Sequence, residues 1–193
     1  MLRGPHLVAA LAAAAPLLGA CGSSDSGSSA STAPAPATAA RPAHRALAVT
    51  SPAFASGGRI PVRFTCDGNG SSPPLRWSAA PRGTKSIAVV MTDPDAPGGT
   101  FVHWAVWGLP ASARGLPAAA KPALLRAGRG TSGRVGYEPP CPPKGAGPHR
   151  YAFTVTALRS DVPAAYGAAA GPVRGQIARR TLARGQVVGR YGR

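Results

Sequence analysis

The sequence predicts a mainly β, sandwich-like domain with one peripheral helix near its C-terminus. Three observations lead there. Several short apolar runs are rich in β-branched and aromatic residues, the composition of strands. Gly and Pro are abundant, 25 and 22 of 193 residues, and interrupt the chain too often for a coiled coil or a simple helical bundle. Only Val173 to Ala183, after Gly171-Pro172, has a fair helical pattern. Hydrophobic residues make up 44%, enough for a buried core and too many for a wholly disordered chain.

The strands follow in chain order. Ala46–Thr50 and Ile60–Thr65 are short candidates. Ser86–Asp93, SIAVVMTD, is a buried-strand run bounded by Gly83 and Pro94. Phe101–Leu109, FVHWAVWGL, is the next, and the two are expected to pair as a hairpin. Pro94 and Pro97 bar a continued ladder between them, and Gly98-Gly99 supplies a turn. Arg150–Arg159 alternates: Tyr151, Phe153, Val155 and Ala157 fall on one face, Ala152, Thr154, Thr156 and Leu158 on the other. There is no internal repeat.

The beginning of the chain has a different character. Arg3 precedes an apolar stretch, Leu7–Ala20, interrupted by Pro16 and too short to span a bilayer. It closes on Leu18-Gly19-Ala20-Cys21. That matches the bacterial lipobox, in which the cysteine sulfur takes a diacylglyceryl group and the chain is cut before it. The alternative is an ordinary secretory signal with a coincidental cysteine. Gly22–Ala43 is small, polar and Pro-dotted, a flexible linker that buries too little to offset its ordering entropy. The expected organisation is a lipoprotein signal peptide over residues 1–20, a linker over 21–45 and a globular domain over 46–193. Lipidated Cys21 would hold the protein at the outer side of the bacterial cell membrane, since two acyl chains make an effectively permanent anchor.

Charge is lopsided, 22 Lys+Arg against 6 Asp+Glu, and only Lys85, Lys121 and Lys144 are lysines. The arginines are scattered, and no helix-turn-helix, zinc-finger spacing or aromatic RNA-binding motif accompanies them. Nucleic acid is therefore not expected as a partner. A solvated basic surface that tolerates anionic lipid or wall polymer is the plainer reading.

Acid–base groups are few. From residue 46 on, the acids are Asp67, Asp93, Asp95, Glu138 and Asp161, and the histidines are His103 and His149. Closing the hairpin brings Asp93 and His103 to one rim. His149 and Tyr151, two apart at a strand entrance, point to one face. Two imidazoles, a phenol and one or two carboxylates suit an anion. Imidazole and phenol donate to oxygens, and a carboxylate fixes an imidazole tautomer.

These residues stand within longer motifs: Phe64-Thr65-Cys66-Asp67-Gly68; Ser72-Pro73-Pro74-Leu75-Arg76-Trp77; Asp93-Pro94-Asp95-Ala96-Pro97; Val102-His103-Trp104; Gly136-Tyr137; Pro140-Cys141-Pro142-Pro143-Lys144-Gly145; and His149-Arg150-Tyr151. In this order they resemble the phosphatidylethanolamine-binding protein family, in its bacterial Raf-kinase-inhibitor-like branch. The resemblance covers about residues 46–193. It implies a two-sheet β fold with a small pocket for phosphate-like anions, lined by Asp93, Asp95, His103, Pro142, Pro143, His149 and Tyr151. Family members often have Trp two residues before the first pocket histidine, where this chain has Phe101.

The function expected is a lipid-anchored, extracytoplasmic, non-catalytic binding protein. Its ligand would be phosphate-bearing or a carboxylate, with a phosphoethanolamine head group as one candidate. No cofactor or metal is expected, because His103, His149 and Asp93 lack the spacing of a known zinc motif. Two rivals remain. Cys141, His149 and Asp93 would make a thiol hydrolase. Alternatively, the domain is an inhibitor module for another extracytoplasmic protein, which the sequence does not name. With Cys21 taken by lipid, Cys66 and Cys141 are an even pair in an oxidising compartment and are expected to form a disulfide. The competing reading is two small buried thiols.

Overall fold

The structure is a computed structural model that describes residues 45–121 and 125–193. The expected signal peptide, Cys21 and the linker to residue 44 lie outside the described residues.

Among the described residues, nine strands and one α-helix follow one another. They are β1 (Arg45–Ala46), β2 (Val49–Thr50), β3 (Leu75–Trp77), β4 (Ser86–Asp93), β5 (Phe101–Pro110), β6 (Gly115–Leu116), β7 (Arg126–Ala127), β8 (His149–Leu158), α1 (Ala170–Arg180) and β9 (Thr181–Tyr191). Six strands form one sheet in the order β1-β9-β8-β4-β5-β7, and three form another in the order β2-β3-β6. Every pairing is antiparallel except β1 with β9.

The alternation of β4 and β8 decides where the core sits. Ile87, Val89 and Met91 of β4 and Tyr151, Phe153 and Val155 of β8 face the smaller sheet, where they meet Leu75, Trp77, Phe54 and Ile60. Ala88 and Val90 of β4 face the other way, toward Val173 and Ile177 of α1. The large sheet is thus covered on both faces, which explains the nearly unbroken apolar run of β4. Burying each large side chain contributes about 1.5–3 kcal/mol before ordering costs.

Four expectations need correction or refinement. Ile60–Thr65 is not a strand, and Val62–Phe64 forms a 3-10 turn. Pro61 sets its entry, and the Thr65 N–H and hydroxyl both donate to the Val62 carbonyl at 2.9 Å. Ala46–Thr50 is divided, because the chain passes from the large sheet to the small one between β1 and β2. The helix starts earlier than expected, at Ala170, with Gly171 and Pro172 in its first turn, where a missing N–H costs nothing. It ends at Arg180, so Thr181–Ala183 belong to a strand that the sequence did not reveal. That strand, β9, pairs with β8 from Tyr191–His149 to Thr181–Leu158. Gly189 within it has a packing reason: a Cβ there would stand 2.4 Å from Ile60 Cγ1.

Candidate functional site

The site forms where the ends of β4 and β8 and the start of β5 meet. In the β4–β5 ladder, Met91 pairs with Trp104 and Thr92 with Val102. His103 is therefore the extra residue of a β-bulge. A bulge re-aims side chains and frees the backbone of one residue. The freed backbone of His103 is taken by Glu138, whose N–H donates to the His103 carbonyl at 3.0 Å. In return the His103 Nδ1 donates to the Glu138 carbonyl, also at 3.0 Å. The ring lies edge-on to Tyr151, with centroids 5.3 Å apart, and 4.6 Å from the ring of Phe101.

His149 opens β8, and its Nδ1 meets Asp93 Oδ2 at 2.7 Å. Asp93 is buried, and its other oxygen accepts from the Asp95 N–H at 2.8 Å. One carboxylate thus orients an imidazole and shapes the Asp-Pro-Asp-Ala-Pro turn. The rings of His149 and Tyr151 lie nearly parallel, 6.5 Å apart. Tyr151 is 0% exposed, and its hydroxyl has no hydrogen-bond partner among the described residues. Burial first, then the charge of Asp93 and the close approach of its carboxylate to the hydroxyl, raise the phenol pKa, although that approach falls outside strict hydrogen-bond angles.

Burial lowers the pKa of His103, and the Glu138 carbonyl opposes that only in part. The neutral ring is thereby favoured. With Nδ1 donating to a carbonyl, the Nε2 of that neutral ring carries a lone pair. His149 is built alike, with Nδ1 engaged and Nε2 without a partner among the described residues.

Asp95 pairs with the residue between His149 and Tyr151. Its carboxylate receives the Arg150 N–H at 2.8 Å and the Arg150 guanidinium through Nε and Nη2, at 2.9 and 2.5 Å. The guanidinium hydrogen bond, above all, holds the Asp95 pKa down at about 2. Asp95 therefore clips the Asp-Pro-Asp-Ala-Pro turn to the start of β8. Pro142 is buried and Pro143 exposed in the loop leading to β8.

Cys66 and Cys141 are joined by a disulfide with Cα atoms 5.4 Å apart. The thiol-hydrolase reading loses its nucleophile, because the Cys141 sulfur is already bonded. That sulfur accepts from Arg193 Nη1 at 3.3 Å. Arg193 Nε also reaches Asp67 at 3.1 Å, and the Tyr191 hydroxyl donates to the same carboxylate at 2.5 Å. The disulfide and Asp67 together tie the Phe64–Gly68 segment, the proline loop and the end of β9 into one corner beside His149. Among the described residues, no three His, Cys, Asp or Glu side chains gather as a metal ion requires. No helix among them is long and apolar enough to cross a membrane.

Sequence reasoning missed the roles of Glu138 and Arg150. Glu138 acts through its main chain on His103, while its side chain accepts from the Ser132 hydroxyl at 2.5 Å. A main-chain contact leaves no residue-type signal. Arg150 stands inside the His-Arg-Tyr motif, and that place between two candidate site residues was the signal available in the sequence.

Comparison with known proteins agrees with this architecture. The family model described as phosphatidylethanolamine-binding protein matches residues 50–192. A UPF0098 protein of Aquifex aeolicus is 40% identical over 152 residues, which cover 76% of this chain and 89% of that protein. A Mycobacterium tuberculosis protein named as lipoprotein LppC is 44% identical over 119 residues, covering 62% of this chain and 59% of that one. Among solved structures, Escherichia coli YbcL, described as a member of the mammalian PEBP family, superposes with a TM-score of 0.72 at 32% identity, covering 76% of this chain and 98% of its own. A Chlamydia trachomatis homologue of phosphatidylethanolamine-binding protein, CT736, gives 0.71 at 33%, covering 77% and 99%. With its two sheets, its covered central strands and this match across nearly the whole globular domain, the chain belongs to the phosphatidylethanolamine-binding protein family.

Proposed function

We propose that this protein is a non-catalytic binding protein whose pocket takes a phosphate-bearing or carboxylate ligand between His103, His149 and Tyr151. The carrying observation is the Tyr151 phenol, whose buried hydroxyl has no well-aligned partner among the described residues and whose ring lies near two imidazoles that each have Nδ1 engaged and Nε2 unpaired among those residues. A buried hydroxyl left unpaired costs about 1–3 kcal/mol. A ligand oxygen would remove that cost. Asp93 and Asp95 serve as supports, the first orienting His149 and the second fixing the turn through Arg150.

Binding rather than catalysis is favoured by what surrounds the Asp93–His149 pair. Among the described residues no hydroxyl or thiol is hydrogen-bonded to the free side of His149, so the pair has no nucleophile to activate. The protein is further proposed to be lipid-anchored at Cys21 and extracytoplasmic. The lipobox pattern, the linker composition and the lipoprotein name of a relative support this. Calorimetric titration of the purified protein with inorganic phosphate and with phosphoethanolamine tests the pocket. Saturable binding, lost in both His103→Ala and His149→Ala while the fold persists, is expected. Unchanged affinity in both variants would refute it.

A further inference from the structure

The helix α1 packs on β4 and β5, and beside it the large sheet keeps an open strip over β8 and β9. Cross-strand register sets what lies there. Val90, Thr154 and Gln186 share one row of the sheet, and Ala88, Thr156 and Arg184 the next. Strand alternation turns these side chains away from the main core, to the face that carries α1. Between sheet and helix runs a groove of about 460 Å³, within the range of ligand clefts. It shares no lining residue with the His103–His149 pocket.

Thr92, Thr154 and Thr156 line the groove with hydroxyls, and Arg174 of α1 and Arg184 of β9 stand exposed on its two sides. Thr156 is only 4% exposed, and no hydrogen bond among the described residues engages the hydroxyl of any of the three threonines. The ion pairs among those residues use His149, Arg150 and Arg193, so both groove arginines are left uncommitted. No acid lines the space, and none follows Asp161 in the chain, whereas six arginines do. Small residues, Gly171, Gly175 and Ala178, form the helix wall, and a Cβ added at Gly171 meets nothing within 4 Å. That wall leaves room beside Arg174.

We propose that this groove is a second binding site, which takes an acidic carbohydrate, a sugar unit bearing a carboxylate and neighbouring hydroxyls. Guanidinium groups grip a carboxylate through paired N–H donors. Threonine hydroxyls both donate and accept, which matches sugar hydroxyls. Val90 and Ile177, buried in the floor, offer an apolar patch to the C–H face of a ring. A bilayer surface matches less well. Thr156 lies in a recess that a flat layer of head groups does not enter, and the exposed large apolar side chains, Val62 and Tyr166, lie elsewhere. Nucleic acid is disfavoured, because no aromatic ring lines the groove for a base to stack on.

Calorimetric titration of the purified protein with trigalacturonate, maltotriose and acetate tests the assignment. Trigalacturonate is expected to bind saturably. Maltotriose lacks the charge and acetate the hydroxyls, and each should bind at least about tenfold more weakly. The Arg174→Ala, Arg184→Ala variant should lose about tenfold or more in trigalacturonate affinity. Thr154→Val keeps charge and shape and should lose about threefold or more. Arg82→Ala, Arg134→Ala removes the same charge from exposed positions elsewhere and should leave the affinity unchanged. No saturable binding of trigalacturonate, or an equal loss in the two arginine double variants, would overturn the proposal. So would capture by phosphatidylglycerol vesicles that depends on Arg174 and Arg184 while trigalacturonate does not bind.

Discussion

Asp93 and His149, 56 residues apart in the chain, meet at 2.7 Å because β4 and β8 are neighbours in the large sheet. The pairing sets the tautomer of one pocket imidazole and places it beside Tyr151. Asp93→Asn keeps the shape and removes the charge. It should lower stability by about 1–2 kcal/mol, the difference between a charge-assisted and a neutral hydrogen bond in a buried place. Urea unfolding at pH 7.5 measures it, and a midpoint equal to that of the parent would contradict the role given to this pair.

Stability of the ligand-free protein should depend on pH in two separate windows. The His103 pKa is lower in the fold than its ordinary value near 6.5. The unfolded chain therefore binds the proton first, and the contribution of neutral His103 is full above that value and is lost as pH falls below it. The Asp95 pKa is lowered from 3.8 to about 2, so the Asp95–Arg150 contribution is lost only across that lower range. Denaturation midpoints between pH 7.5 and 5 should fall, and fall less in His103→Asn. An identical fall in the variant would assign the first window elsewhere.

The disulfide closes a sequence separation of 75 residues. In the chain-entropy model such a loop contributes roughly 4–5 kcal/mol. The Cys66→Ser, Cys141→Ser double variant should unfold at markedly lower denaturant, and dithiothreitol should bring the parent close to it. A parent insensitive to reductant under conditions that reduce the bond would contradict this.

Cys21→Ser should move the protein from the membrane fraction to the soluble extracytoplasmic fraction, because acyl chains are the proposed anchor. Basic attraction to anionic lipid should be washed away by salt. A variant that stays with membranes in high salt would count against lipid anchoring.

The parts of this fold that could be read early are those whose signal is local. Ser86–Asp93 and the alternation from Tyr151 to Ala157 mark β4 and β8 by their own residues. β9 could not be found that way. Gly185, Gly189 and its arginines break the pattern, and only full-length pairing with β8 makes it a strand. The site divides similarly. Scarcity of acids and histidines drew attention to Asp93, His103 and His149. The hairpin was expected to bring Asp93 and His103 to one rim, and strand order adds what the hairpin alone does not give, the bond from His149 to Asp93. The bulge at His103 depends on Glu138, 35 residues away, through main-chain atoms that the sequence does not advertise.

The most direct test of the pocket is the Tyr151→Phe variant, measured twice. Without ligand, the change removes a buried hydroxyl that has no well-aligned partner among the described residues, so stability in urea should be unchanged or rise by up to about 2 kcal/mol. With inorganic phosphate, affinity should fall roughly ten- to hundredfold, the worth of one hydrogen bond to a charged group. Phosphate affinity within twofold of the parent, together with a loss of ligand-free stability, would contradict the account. The hydroxyl would then serve the fold and not a ligand.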